Sequence, residues 1–184
     1  GEMISKSFSV PATDLEEILA RNCHISDTAR AARFCRQAEQ ARYFCKDIHY
    51  PDVPLHTPTF DTTLLSAHIR PGHVMLIDCW ASWCGPCRAA IPAVKTLYDK
   101  YDRDRFDVIS ISLDSKKEDW QKALEEEKMP WPQFIAGNRG YEQLTLRYNI
   151  NSIPNLILID DKGQVVCNTF SPEEISIELE EILR

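Results

Sequence analysis

Apolar and polar positions follow two different periods along this chain, and the change falls near residue 50. From about Thr13 to Ile48 the apolar residues recur every three or four positions, which is typical of amphipathic helices. Thr13 and Glu16 fit a capping box, and a second helix is predicted to start at Ser26 or Asp27. We expect its apolar stripe to pack on the body of the same protein; a dimer seam or a docking helix is the alternative.

A proline-rich stretch separates this helical region from the rest of the chain. Pro51, Pro54 and Pro58 lie between Tyr50 and Thr59, where they stop a helix and favour extended backbone. We therefore divide the chain into an N-terminal helical extension, residues 1–55, and a second domain, residues 56–184.

Beyond residue 56, strand patterns alternate with helix patterns. Short apolar runs predict strands at 74–79, 106–113, 155–159 and 164–169. Helical periodicity predicts helices at 86–101, 116–128, 140–148 and 172–183. Strands joined by helices imply parallel pairing, whereas the short turn at 160–163 implies an antiparallel hairpin. The predicted class is α/β, with a central mixed sheet flanked by helices.

The composition narrows the possible partners. The 184 residues are 43% hydrophobic and 27% charged, which suits one well-packed domain with an elaboration. A net charge of -7 argues against a nucleic-acid partner, since binding phosphates requires clustered Lys and Arg.

No apolar run approaches the roughly 20 residues that cross a bilayer, so we expect no membrane span. Because the chain starts with Gly1, we expect any signal peptide to be already missing.

The candidate chemistry lies at Cys84 and Cys87, where an apolar strand ends and a helix begins. Residues three apart on the first turn of a helix are about 5 to 6 Å from each other, which is within reach of a disulfide. The helix N-terminus favours a thiolate at Cys84, the predicted nucleophile. Cys87 is expected to be more enclosed and to resolve the mixed disulfide by attacking the Cys84 sulfur.

A metal site and an inert structural disulfide are the alternatives to redox chemistry. Zinc needs about four ligands, and no second cysteine pair or suitably spaced histidines accompany this one, so we expect no metal. Cys35 and Cys45 would lie about 15 Å apart on one straight helix and cannot pair with each other. Cys79 and Cys167 fall in strand patterns and are expected to be small buried hydrophobes.

The stretch LIDCWASWCGPCRAAIP resembles the active-site segment of a thioredoxin. The shared features are Trp83 before the first cysteine, Gly85 and Pro86 between the two, Pro92 after them, and Asp78 at the position of the family's buried acid. The resemblance covers about residues 56 to 184 and implies a thioredoxin fold.

Two further segments extend this resemblance. INSIPNLILIDDKGQVV resembles the family's cis-proline segment, which would make Pro154 that proline and Ile153 its neighbour. VISISLDSKKEDWQKALEEEKMPWPQF resembles the additional helix and strand of the TlpA/ResA-type branch, whose members are usually exported or membrane-tethered. Two positions depart from the family: Ser110 replaces a common lysine near the buried acid, and Cys79 replaces an apolar residue.

The resemblance implies roles for these residues. Asp78 would be a desolvated acid with a raised pKa that takes a proton from Cys87 through water; a strand-end aspartate reaching solvent is the alternative. The Ile153 backbone, beside Pro154, would pair with an extended substrate segment. Trp83 would form the other wall of this groove, although simple packing also fits an aromatic residue there.

These features predict a thiol-disulfide oxidoreductase, and the Gly-Pro dipeptide between the cysteines resembles that of the family's reducing members, which implies a reductase. It would act on disulfide-containing proteins, receive electrons from an upstream thiol donor, need no bound cofactor and work outside the cytoplasm. A thiol peroxidase is a competing hypothesis, but the chain lacks its Pro-x-x-x-Thr-x-x-Cys segment. A non-catalytic binding module is the other, and the intact active-site segment argues against it.

Overall fold

The computed structural model describes residues 48–148 and 150–184, so the helices predicted before residue 48 lie outside the described residues. The strands in this part are β1 (Ile48–His49), β2 (Pro54–His56), β3 (Thr62–Leu64), β4 (Val74–Trp80), β5 (Phe106–Ser112), β6 (Gln133–Ile135), β7 (Asn155–Ile159) and β8 (Gln164–Thr169). The helices are a 3-10 helix (Leu65–His68), α1 (Gly85–Lys100), α2 (Lys117–Glu127), α3 (Gly137–Tyr148) and α4 (Pro172–Ile182).

The strands form one mixed sheet in the order β1-β8-β7-β4-β5-β6-β2-β3. β4 pairs in parallel with β5, and β5 with β6. β7 pairs antiparallel with β4 and β8, and Asp160 closes the β7–β8 turn by accepting from the backbone N–H groups of Lys162 and Gln164. The predicted α/β class is confirmed, including the helix and strand (α2 and β6) inserted between β5 and α3.

The sheet begins before the predicted boundary at residue 56. Ile48–His49 pairs with β8, and Pro54–His56 pairs with β3 and β6. Val53 and Leu55 are fully buried in the main core. Residues 48–55, part of the extension that the sequence predicts, therefore contribute strands and core side chains, and Ile48 lies in a strand instead of a helix. Extended backbone around prolines suits short strands near a sheet edge.

Every residue of β4 is buried, because helices cover both faces of the sheet. Met75, Ile77 and Cys79 pack in a cluster that includes α3 residues. Val74 and Leu76 pack on the opposite face, in a cluster with residues of α1 and α4. Side chains alternate along a strand, so the next position on the α1 face belongs to Asp78.

Helix α3 starts three residues earlier than predicted, at Gly137, and crosses β2 closely. Gly137 has a φ of +61°, a left-handed conformation that glycine adopts without steric cost. At Gly140, a Cβ atom would lie 2.5 Å from the carbonyl oxygen of Pro54. This close approach places α3 directly against β2, near one edge of the sheet.

In the described part of the chain, no helix has the length and apolar character that crossing a bilayer requires.

Candidate active site

Cys84 and Cys87 form a disulfide at the N-terminus of α1, with their Cα atoms 5.3 Å apart. Cys84 is the N-cap: its Sγ accepts a hydrogen bond from the Cys87 backbone N–H at 3.2 Å, and its carbonyl accepts from Arg88. Pro86 follows in the first turn, where its missing N–H leaves no helical bond unmade. The backbone N–H at Cys87 would stabilise a thiolate on Cys84 after reduction.

The two cysteines are almost equally buried, with exposed fractions of 4% and 3% for Cys84 and Cys87. The predicted greater enclosure of Cys87 is therefore not seen in this oxidised state. Gly85 and Pro86 between them are exposed. The pair packs in a cluster with Trp80 and other apolar residues, namely Ala81, Ile91, Trp120, Ala123 and Ile135. What distinguishes Cys84 is its place at the helix N-terminus and its exposed neighbours.

Asp78 lies in the central strand β4 and is 5% exposed. Burial raises the pKa of its carboxyl group to about 6, although the hydrogen bond from Ser110 opposes this shift. Ser110 donates to Asp78 Oδ2 at 2.8 Å, and Trp131 Nε1 donates to Ser110 Oγ at 2.7 Å. Asp78 is therefore enclosed, which disfavours the alternative of a strand-end aspartate that reaches solvent. Ser110 lies beside the acid, where the resemblance to thioredoxins led us to expect it.

Trp83 and Ile153 line one cavity beside the disulfide. Trp83 is 69% exposed, and the Ile153–Pro154 peptide bond is cis. The cavity has a volume of about 540 Å³ and runs from these two residues toward the start of α3, where Tyr141 is exposed. Its other lining residues are Leu113, Asp114, Ser115, Gly137, Asn138, Ile150, Asn151 and Ser152. Two residues that sequence comparison linked to substrate binding thus share a recess large enough for a peptide side chain.

Two residues around the site were missed by our sequence analysis. Asp114 follows β5 and accepts hydrogen bonds from the backbone and side chain of Ser82, just before the disulfide. Its one sequence signal is its position: a polar residue directly after a buried strand, at the strand end that faces the cysteines. Tyr141 sits on α3, and nothing in its local sequence indicates that it reaches the cavity.

Helix α1 contacts the inserted helix α2 through hydrogen bonds from Arg88, the residue after Cys87. Arg88 Nε donates to Glu127 Oε1 at 2.5 Å, and Arg88 Nη2 donates to Glu126 Oε2 at 2.8 Å. Lys95 donates to the Glu127 carbonyl, at the end of α2 where helix carbonyls lack backbone partners.

Among residues 48–148 and 150–184, no group of three His, Cys, Asp or Glu side chains is placed to hold a metal ion.

Comparison with known sequences places the chain among thiol-disulfide oxidoreductases. The thiol-disulfide oxidoreductase ResA of Geobacillus kaustophilus is 26% identical over 133 residues, 68% of this chain and 75% of that protein. The sporulation thiol-disulfide oxidoreductase A of Bacillus subtilis is 24% identical over 55% of this chain and 61% of its own length. Nucleoredoxin of Xenopus laevis is 33% identical over 67% of this chain, but the match spans 29% of that protein.

Solved structures share the fold. The thioredoxin domain of a thiol-disulfide oxidoreductase from Bacteroides vulgatus superposes with a TM-score of 0.69, at 24% identity, over 76% of this chain and 99% of that chain. A thiol-disulfide oxidoreductase from Bacteroides fragilis gives a TM-score of 0.66 at 25% identity, over 73% and 98% of the two chains. The mixed sheet and its flanking helices are therefore a thioredoxin fold.

Residues 72–165 match the sequence family described as thioredoxin-like. Because this match spans just over half of the sequence and contains both Cys84 and Cys87, the chain belongs to the thioredoxin-like family.

Proposed function

We propose that this protein is a thiol-disulfide oxidoreductase that reduces disulfide bonds in other proteins. The observation that carries the proposal is the Cys84–Cys87 disulfide at the start of α1, beside the exposed Trp83 and an open cavity. An inert structural disulfide would gain nothing from a helix N-terminus that stabilises a thiolate. The names of the relatives support the broader activity, exchange between thiols and disulfides.

The reaction needs only the two cysteines and the substrate disulfide. The Cys84 thiolate attacks one sulfur of the substrate disulfide, forms a mixed disulfide and releases the other substrate sulfur as a thiolate. The Cys87 thiolate then attacks the Cys84 sulfur, which closes the intramolecular disulfide and releases the second substrate thiolate. Two electrons pass to the substrate, and an upstream thiol donor returns the enzyme to its dithiol form. The cysteine pair is the redox group, so no bound cofactor is required.

Asp78 serves as the proton acceptor for Cys87 in this scheme. A carboxyl group with a pKa near 6 can take a proton at neutral pH and return it during the reverse reaction. The alternation of β4 places Asp78 on the face that carries α1, and water would connect it to Cys87. We expect Asp78→Asn to slow resolution of the mixed disulfide while the fold persists; an unchanged single-turnover rate from pH 6 to 9 would contradict this role.

The substrate lies across the end of α1, between Trp83 and the segment at Ile153 and Pro154. The Ile153 backbone offers an N–H and a C=O to an extended substrate segment, which would bind as an added strand. Gly85 and Pro86 are exposed between the cysteines and carry no large side chain, so the substrate backbone can approach the disulfide. Main-chain pairing of this kind selects little for sequence.

The first test is the reduction potential of the Cys84–Cys87 pair, measured by equilibration with glutathione and dithiothreitol buffers. A reductase is expected near the thioredoxin value of about -270 mV, whereas about -120 mV would indicate a disulfide donor. Cys87→Ser is the control because it cannot close the intramolecular disulfide. If the wild-type pair does not titrate, a non-catalytic binding module becomes the better explanation.

The reductase is also expected to act outside the cytoplasm. This placement rests on the likeness to ResA-type relatives and concerns the natural protein in its own cell. Fractionation of the source cells, followed by detection with an antibody, tests it directly. Recovery of the protein with the cytoplasmic fraction would overturn the placement without affecting the proposed chemistry.

A further inference from the structure

We propose that Asp114 is a positioning residue that holds the segment Ser82–Cys84 in place for reaction with a substrate disulfide. Asp114 lies at the end of β5, just before the inserted helix α2, and is 4% exposed. It touches neither cysteine through a hydrogen bond and acts through Ser82. The inference rests on the proposed function for its kinetic test alone.

Three hydrogen bonds converge on the Asp114 carboxylate. The Ser82 backbone N–H donates to Oδ2 at 2.8 Å, and the Ser82 hydroxyl donates to Oδ1 at 2.7 Å. The Ser112 hydroxyl donates to Oδ2 at 2.7 Å. A carboxylate that accepts from both the backbone and the side chain of one residue fixes the position and the orientation of that residue.

Ser82 is the point at which the chain leaves the sheet. β4 ends at Trp80, whose carbonyl still accepts from the Leu113 N–H at 2.8 Å. The next fixed backbone bond joins the Cys84 N–H to the Ala81 carbonyl at 3.0 Å, which makes a turn around Ser82. The Asp114 carboxylate therefore supplies the contact that ties this turn to the neighbouring strand.

The placement of Trp83 and Cys84 depends on this turn. Trp83 is exposed and lines the cavity, so its own side chain has few packing contacts to hold it. Cys84 must keep its Sγ at the Cys87 N–H to be stabilised as a thiolate. Because small misplacements of reacting groups cost up to about a hundredfold in rate, a carboxylate that fixes the preceding residue contributes to reactivity.

A second aspartate–serine pair, Asp52 and Ser66, provides a matched control. Asp52 accepts from the Ser66 backbone N–H at 2.9 Å and from the Ser66 hydroxyl at 2.7 Å, which is the same arrangement as that of Asp114 and Ser82. Asp52 joins the start of β2 to the 3-10 helix and is not among the residues that line the cavity. Asp52→Asn thus breaks an equivalent contact elsewhere in the molecule.

The test compares Asp114→Asn, Ser82→Ala and Asp52→Asn in the full chain. An asparagine at 114 keeps one acceptor oxygen, so at least one bond to the carboxylate is lost, while alanine at 82 removes the hydroxyl bond and retains the N–H bond. The measurements are the melting temperature, kcat and KM for reduction of a protein disulfide, and the ¹⁹F NMR signal of Trp83 in protein labelled with 5-fluorotryptophan. Trp83→Phe assigns that signal.

We expect Asp114→Asn to lower kcat/KM about tenfold, in keeping with the loss of a hydrogen bond to a charged group, and to shift or broaden the Trp83 signal. Ser82→Ala should lower kcat/KM about threefold, because it loses one neutral hydroxyl donor, and should shift the Trp83 signal in the same direction. Asp52→Asn should lower the melting temperature and leave kcat/KM and the Trp83 signal at their wild-type values.

The proposal is overturned if Asp114→Asn and Ser82→Ala lower stability and leave both kcat/KM and the Trp83 signal unchanged. Should Asp114→Asn fail to fold, Ser82→Ala decides alone. The NMR comparison needs no substrate. A wild-type protein without reductase activity would therefore refute the proposed function, and the Trp83 signal would still decide the role of Asp114.

Discussion

Ser110 lies directly opposite Asp78 in the parallel β4–β5 ladder and donates its hydroxyl hydrogen to the buried carboxyl group at 2.8 Å. The same Ser110 oxygen accepts the indole N–H of Trp131 at 2.7 Å, so one hydroxyl links the acid to the inserted segment. Because Ser110 donates its hydrogen to Asp78, the bond favours the carboxylate over the protonated acid and lowers the pKa of Asp78.

Replacing Ser110 with alanine should raise the pKa of Asp78 further, because the one hydrogen bond that lowers it is lost. The pH at which resolution of the mixed disulfide becomes fast should rise with it. The variant also leaves the Trp131 N–H without an acceptor, which should reduce the free energy of unfolding by about 1 to 3 kcal/mol. Stopped-flow measurement of the resolving step from pH 5 to 9 checks the first effect.

Trp131→Phe is the matched control for this variant. It removes the indole N–H and keeps the bond from Ser110 to Asp78, so stability should change while the midpoint of the pH profile stays near its wild-type value. A shift of equal size in both variants would show that packing, and not the Ser110 hydrogen bond, sets the titration of Asp78.

The raised pKa of Asp78 should make the stability of the oxidised protein depend on pH. The carboxyl titrates near 3.8 when unfolded and near 6 when folded, so between these values the folded state holds a proton that the unfolded state has lost. Stability should therefore fall by about 3 kcal/mol as the pH rises from about 4 to above 6. Above that range the penalty stays constant.

Asp78→Asn removes this titration. Denaturant unfolding of the disulfide-bonded wild type and variant at pH 4 and pH 8 should show the variant gaining about 3 kcal/mol relative to wild type at the higher pH. Parallel curves for the two proteins would mean that Asp78 titrates alike in the folded and unfolded states.

The close crossing of α3 and β2 predicts that Gly140→Ala destabilises the protein, even though alanine is the better helix former. A Cβ atom there would lie 2.5 Å from the Pro54 carbonyl oxygen, so backbone must shift at a cost of about 1 to 3 kcal/mol. Gly85→Ala meets nothing within 4 Å and should leave stability nearly unchanged. Thermal unfolding of both variants tests this prediction. Equal melting temperatures for Gly140→Ala and Gly85→Ala would contradict the close crossing of α3 and β2.

Tyr141 should contribute to binding of protein substrates through the cavity it lines. Tyr141→Ala is expected to raise KM for a protein disulfide several-fold and to leave reduction of a small disulfide such as hydroxyethyl disulfide unaffected. Leu146→Ala is the control, since Leu146 is similarly exposed on the same helix and does not line the cavity. Steady-state kinetics with both substrates make the comparison; equal effects of the two variants would place binding elsewhere.

The sequence predicts the centre of this fold better than its edges. β4 and β7 are mainly apolar, β5 and β8 mix apolar with polar residues, and the predicted limits of all four agree with the structure within one residue. β1, β2 and β3 have two or three residues each, too few to show a local pattern. β1 and β2 pair with the distant strands β8 and β6, and β3 pairs with β2.

The residues of the candidate site also differ in how well the sequence predicts them. The cysteine pair is visible in the sequence because its chemistry requires a fixed spacing at a helix start. Asp114 and Tyr141 reach the site from other elements, and their roles depend on where β5 ends and where α3 lies, which the local sequence does not specify. The same holds for Trp131, which lies before β6 and whose partner Ser110 lies in β5.

The short segment between β1 and β2 has a consequence for how the sheet opens. β1 lies at one margin of the sheet and β2 lies beside the strand at the other, yet only residues 50–53 connect them. Tyr50 bonds to the turn at Gly163, Pro51 accepts the Tyr148 hydroxyl, and Val53 is fully buried. Because this short segment is held by contacts at both of its ends, we expect the backbone amides of the two margins to lose protection from hydrogen exchange together.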